Sequence, residues 1–238
     1  MIKTLFCLLM LTVSFSGNTQ NSSQKDGKEA EVHVKQTPDF EVSGDGSAVQ
    51  WKAAGWTKLT PRHGARSGYE SKVKLLYSSS GIYCLFSCKD AKITSTLTED
   101  FTNLYLEDVV EIFFWPDESV PVYFEYELSP HNYELAIIVP NRHGNFLGWR
   151  PWHYEGGRMT RHATKIILDK NDVDSWIAEF FIPFTLLKPL LDAPPQHGTR
   201  WRANMYRIDY DEGDSEWSWQ LTGENFHDYE KFGTLVFD

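Results

Sequence analysis

Apolar side chains recur at every second position in runs of five to nine residues, separated by stretches rich in Gly, Pro, Asn and Asp. That period places alternate residues on opposite faces of an extended chain, the pattern of a β-strand. The clearest runs are Lys72–Tyr77, Ile82–Cys88, Asp108–Trp115, Val120–Leu128, Tyr133–Val139, Thr164–Leu168, Ser175–Ile182, Trp201–Ile208 and Gly233–Phe237. Many short strands, with neither a βαβ rhythm nor a long repeat, predict an all-β sandwich or barrel over about residues 31–238. One stretch, Pro183–Leu191, has helical spacing and is too short for more than two turns.

Alternation also sorts the faces. In Val120–Leu128, Val122, Phe124, Tyr126 and Leu128 share one side, and Tyr123, Glu125 and Glu127 share the other. In Trp201–Ile208, Arg202, Asn204, Tyr206 and Ile208 oppose Trp201, Ala203, Met205 and Arg207. A dry face backed by acids, amides and Tyr is either a solvated outer surface or a platform for a ligand, and the pattern alone leaves both open.

The N-terminus has a different character. Lys3, the apolar stretch Leu5–Val13 and the small residues Ser14, Ser16 and Gly17 have the layout of a secretory signal, with cleavage expected near Ser16 (residues 1–16). Residues 17–30 contain no large apolar side chain and read as a disordered leader. The expected product is exported, periplasmic or extracellular, with no membrane span, because no apolar run approaches the roughly 20 residues a spanning helix needs. Cys84 and Cys88 lie four apart in a strand, about 13 Å of extended chain, too far for a disulfide, so both are expected as buried thiols.

Charge and composition narrow the function. Lys and Arg total 23 against 33 Asp and Glu, a net charge of −10, which disfavours nucleic acid as a partner. No Gly-x-Ser-x-Gly elbow, His-Glu-x-x-His pair or phosphate-cradling glycine loop is present, and the eight His are scattered. Glu107, Asp108, Glu111, Glu125 and Glu127 are numerous enough to supply a carboxylate pair, which keeps a small glycoside hydrolase open as an alternative. Five acids in Asp209–Glu216 are either an acidic surface turn or a calcium-binding loop of unfamiliar spacing.

The most distinctive feature is aromatic. Twelve rings fall between Tyr105 and Tyr154 inclusive, ending in Gly148-Trp-Arg-Pro-Trp-His-Tyr154. Trp149 and Trp152, flanked by Arg150, either present their faces to a sugar, whose C–H groups pack on aromatic planes, or fold down over the sheet edge. An aromatic loop of this kind also suits a structural or protein-binding sandwich.

Five segments in order carry a resemblance. Leu106-Glu-Asp-Val-Val-Glu-Ile-Phe-Phe-Trp-Pro-Asp117 resembles the central strand of carbohydrate-binding module family 9. Tyr123–Pro130, Trp176–Pro183, Trp201–Asp209 and Asn225–Gly233 continue the pattern to the end of the chain. The resemblance implies an antiparallel, jelly-roll-like β-sandwich that binds carbohydrate, a chain end or an oligosaccharide, without transforming it, in the service of polysaccharide utilisation. It places the two clamp rings at Tyr105 and Phe226 and the strand carboxylate at Glu111. Glu125 falls where the family carries a basic residue, and Asn204 is expected to read hydroxyls, with Trp149, Arg150 and Trp152 extending the site. No cofactor is required; structural calcium is the one the resemblance brings, with Asp90 and Asp100 as candidate ligands.

Overall fold

A computed structural model describes residues 30–238 apart from 66, 67, 144 and 192. The expected signal sequence and nearly all of the leader lie outside the described residues. Fifteen strands account for the pattern. β1 (Glu31–Gln36), β2 (Thr57–Lys58), β3 (Thr60–Pro61), β4 (Ser71–Tyr77) and β5 (Gly81–Lys89) come first. β6 (Val109–Trp115), β7 (Val122–Leu128) and β8 (Glu134–Arg142) form a meander, followed by the short β9 (Asn145–Phe146) and β10 (Arg150–Pro151). The hairpin β11 (Arg161–Asp169) and β12 (Asp172–Pro183) precedes β13 (Arg200–Asp209), β14 (Ser215–Ser218) and β15 (Gly233–Phe237). Each of the nine expected runs is a strand here, within a few residues at its ends.

One continuous hydrogen-bonded path, β10-β8-β7-β6-β13-β15-β1-β4-β5-β12-β11, folds over on itself as a β-sandwich. The link is β1. Its first four residues pair with β15 and its last two with β4, so one strand serves both layers. Both of those pairings are parallel, whereas the other ladders between named strands are antiparallel.

The main core lies between the layers. Ile112, Phe114, Phe124, Tyr126, Trp201 and Met205 from one sheet meet Val73, Leu75, Cys84, Phe86, Trp176 and Phe180 from the other. Cys84 and Cys88 are buried free thiols, as the spacing requires, and burial pushes Cys88 up to about 12. Period-two alternation predicts these inward sets and, for β7 and β13, the outward ones. The outward faces are not solvated, however. Phe113, Tyr123, Ile137, Tyr206 and Phe232 form a second buried cluster on one sheet, and Trp51, Tyr83, Leu85 and Phe181 a third on the other.

Buried Glu179 fastens the loop that covers this third cluster. Its Oε2 accepts from the amides of Ser43 at 3.0 Å and Gly44 at 2.7 Å, and its Oε1 from the Trp51 indole at 2.8 Å. Gly44 is required there: its φ is +82°, and a Cβ would lie 2.8 Å from that of Ala163.

The expected helix over Pro183–Leu191 does not form. β12 runs to Pro183 and the following residues are turns, with Leu186 and Leu187 buried in the main core. Pro189 has no amide to donate, and its ring obstructs a helical turn before it. Helical structure is confined, among the described residues, to four 3-10 turns: Val49–Ala53, Leu104–Leu106, Gly156–Arg158 and Tyr229–Lys231. No described helix is long and apolar enough to cross a membrane.

Candidate functional site

The outer face of the β6–β7–β13 sheet carries three glutamates that the strand register forces together. Glu111 on β6 sits directly opposite Glu127 on β7, and Glu125 lies two residues along the same face. One carboxylate oxygen from each falls within 4.8 Å of the other two. All three side chains are buried, because the Leu104–Leu106 turn and the loop bearing Phe226 and His227 close over them.

Such a cluster cannot be fully ionised. Two unit charges at this spacing repel by about 3 kcal/mol at an effective dielectric constant of about 20, and desolvation adds to the cost. Burial pushes Glu125 up to about 8. Burial first, and then the neighbouring carboxylates, push Glu111 and Glu127 well up. Glu125 and Glu127 lie close enough to share a proton. Beyond that shared proton and the Tyr105 amide beside Glu127, Glu125 Oε2 and both oxygens of Glu127 find no hydrogen-bond donor in the protein.

Over the acids opens a cavity of about 360 Å³. Tyr105, from the Leu104–Leu106 turn, is half-buried on its wall, and its hydroxyl is pushed up by burial and by the Glu127 and Glu125 carboxyls beside it. Tyr210 braces Tyr105 by donating from its hydroxyl to the Tyr105 carbonyl at 3.0 Å. Asp108 in turn holds the Tyr210 amide at 2.8 Å. Trp149, whose side chain lies within hydrogen-bond reach of Tyr105, and the exposed ring of Phe146 line the cavity as well. Phe146 stacks on His227 at 4.2 Å. Burial holds His227 down at about 4, so this imidazole is neutral at pH 7 although its Nδ1 lies 3.8 Å from Glu125.

The sequence expectations divide on this geometry. Tyr105, Glu111, Glu125, Trp149 and Phe226 line the one cavity. Phe226 contributes little open face, since it stacks on Tyr206 at 4.1 Å with Arg62 4.9 Å from its ring centre. Three expected residues are elsewhere. Trp152 packs against the main core and donates its indole N–H to the Leu186 carbonyl at 2.8 Å, because β10 pairs Pro151 with Ile137 and turns the chain inward after it. The exposed Arg150 donates to the Trp149 carbonyl. Asn204 is fully buried and its amide is spent internally, on the Gln220 carbonyl at 2.9 Å and the amides of Met205 at 3.0 Å and Gln220 at 2.9 Å.

Phe146, Tyr210 and His227 also line the cavity without any mark in the sequence, and Glu127, a candidate there only for a carboxylate pair, joins the expected sugar-site residues. Glu127 was within reach, since it shares the Glu125 face by alternation. The others depend on loop paths that no periodicity encodes.

The calcium candidates do not converge. Asp90 joins Asp209 and Asp211 in a second acidic group, whereas Asp100 accepts from the Glu134 amide at 3.0 Å and belongs to neither cluster. The second group already encloses a cation. Buried Arg207 donates to Asp90 at 2.8 Å and to Asp209 at 2.5 Å, and its guanidinium lies 4.9 Å from the centre of the Trp217 ring. Asp90 and Asp209 are therefore already paired with the protein's own cation, and Asp90 and Asp100 do not meet at one calcium site.

The profile of the carbohydrate family 9 binding domain-like family matches residues 42–238. The chain belongs to that family. Among curated proteins none matches significantly. Among solved structures, a Bacteroides uniformis protein designated a candidate carbohydrate-binding protein superposes with a TM-score of 0.73 at 16% identity, covering 88% of this chain and 100% of its own. A family 9 module from Caldicellulosiruptor kristjanssonii in complex with cellotriose gives 0.64 at 16% identity, covering 88% and 94%. The same organism's module in complex with glucose gives 0.63 at 16% identity, covering 88% and 96%. At these identities the structural likeness establishes the fold, a family 9 β-sandwich. The family assignment itself supports carbohydrate binding.

Proposed function

We propose that this protein is an exported carbohydrate-binding module that holds the end of a glycan chain in the cavity above Glu111, Glu125 and Glu127 and does not cleave it. The observation that carries this reading is the meeting of aromatic surface with buried carboxyls in one cavity of about 360 Å³, a size suited to a small ligand. Tyr105 and Trp149 offer ring surface to the C–H faces of a sugar, Phe226 closes the end, and the carboxyls take its hydroxyls. Family 9 relatives hold cellotriose and glucose, which fits a ligand of this class.

The arrangement speaks against the hydrolase alternative. A glycosidase pair must flank the scissile bond, with its carboxyl groups about 5–9.5 Å apart. Here the three acids project side by side from one sheet face, one oxygen of each within 4.8 Å of the others, rather than facing one another across a cleft. Calorimetry across neutral and charged oligosaccharides is the test. A dissociation constant in the micromolar to millimolar range, about −8 to −4 kcal/mol, is expected. Silence on every glycan rejects the binding reading, and product release from chromogenic glycosides rejects the non-catalytic one.

A further inference from the structure

The charge around the cavity is one-sided. Five glutamates line it (Glu111, Glu125, Glu127, Glu216 and Glu224), and no Lys or Arg stands among the described lining residues. Glu216 has its own cation, Arg62 at 2.7 Å, and Glu224 is exposed to solvent. The three buried acids have no such partner. His227, the nearest basic side chain, stays neutral, and Tyr105 and Tyr210 are phenols in their neutral form at pH 7. Glu125 and Glu127, side chains buried to at least nine-tenths beneath the cavity, have as hydrogen-bond partners only each other and, for Glu127, the Tyr105 amide.

Resting on the carbohydrate reading above, we infer that the site selects glycans bearing a free amino group, the ammonium seated on Glu111, Glu125 and Glu127 beside the Tyr105, Phe146 and Trp149 rings. A positive centre is what the acids lack, and ring faces attract organic cations. A bare divalent cation fits less well. It requires six or more oxygen ligands, while much of this cavity wall is aromatic. Seating the ammonium expels the proton that Glu125 holds at neutral pH. With Glu125 at about 8, that proton alone costs about thirtyfold in affinity at pH 6.5. Glu111 and Glu127 are pushed up as well, and charge-assisted hydrogen bonds from the ammonium to the carboxylates oppose the cost.

The test is calorimetry at pH 6.5 with three trisaccharides of one linkage class: a glucosamine trimer, its N-acetylated form and cellotriose. An amine of ordinary pKa near 8 is charged at that pH. The glucosamine trimer is expected to bind at least about tenfold tighter than either neutral sugar, a difference of about 1.4 kcal/mol. Its binding heat should also depend on the ionisation enthalpy of the buffer, because a proton is released. Glu127→Gln and Glu125→Gln should bring the affinity ratio toward one. The ligand series on the unaltered protein decides the matter even if a variant fails to fold. Equal affinities for the three sugars overturn the amine inference and leave carbohydrate binding standing, whereas no binding by any of them overturns both. Calcium that binds and strengthens cellotriose at the expense of the amine assigns the acids to a metal and also overturns the inference.

Discussion

Glu125 makes the protein's stability depend on pH in an unusual direction, and a single isosteric substitution isolates the effect. Its carboxyl is at about 8 in the folded state and 4.5 in the reference state, so the folded protein binds a proton that the unfolded chain has released. Stability falls with rising pH wherever the folded state holds more protons. For Glu125 the loss therefore runs from about pH 4.5 to about pH 8. His227, held at about 4 against 6.5, works oppositely, but only below about pH 6.5. Between pH 6.5 and 8 His227 no longer contributes, and Glu111 and Glu127, also pushed up, act in the same direction as Glu125. For Glu125 alone, at about 1.36 kcal/mol per pH unit, the loss is about 2 kcal/mol. For a chain of this size that lowers the melting temperature by about 4–8 °C. Glu125→Gln keeps the shape and removes that titration, so its melting temperature should fall less over the interval and exceed that of the unaltered protein at pH 8. Differential scanning fluorimetry across that window is sufficient. A melting temperature that rises with pH, or a Gln variant less stable at pH 8, would show that the carboxyl is solvated and ionised in the folded protein.

Trp176 is fully buried between the sheets, so Trp176→Ala should cost about 3–5 kcal/mol in urea melts; a midpoint near that of the parent contradicts the packing. Trp149→Ala, at a partly exposed ring, should change stability by no more than about 1 kcal/mol while weakening glycan affinity, and unchanged affinity would remove that ring from the site. Arg207→Met strips the guanidinium from Asp90 and Asp209 and should cost about 3–5 kcal/mol at neutral pH. Asp90 already stands at about 6, so that cost should shrink toward pH 5, and chemical denaturation at the two pH values tells. Cys84 and Cys88 should resist alkylation in the folded protein and take two labels after denaturation, read by mass spectrometry.

Much of this molecule follows from alternation, and the rest from loops. A two-residue period placed Phe124 and Tyr126 inside and Glu125 and Glu127 on the reverse, and the sheet register then brought Glu111 to them. The third cluster and the loops closing the cavity have no such period, so an outward face in the pattern became a buried one in the fold. Trp149 and Trp152 show the limit sharply. Three residues apart in one segment, they part company at the short β10, one toward the cavity and one onto the Leu186 carbonyl. Asn204 has the right chemistry on the expected face, yet the Gln220 main chain takes its amide. The segment after Pro183 has helical spacing and lacks a donor at Pro189, and the backbone requirement prevails.

The strand shared by the two layers also bears on the order in which the molecule can be completed. β1 takes its partner in one sheet from β15, some two hundred residues later, and Asp238 returns its amide to the Val34 carbonyl at 2.9 Å. During synthesis, every other strand can be delivered while β1 still lacks the neighbour on that side. The seam between the layers closes only when residues 233–237 arrive. Closure of so long a loop is entropically expensive and slow. A chain stopped short of β15 would therefore expose an unpaired edge on both β1 and β13, making the arrival of residues 233–237 the step that commits the sandwich to its closed state.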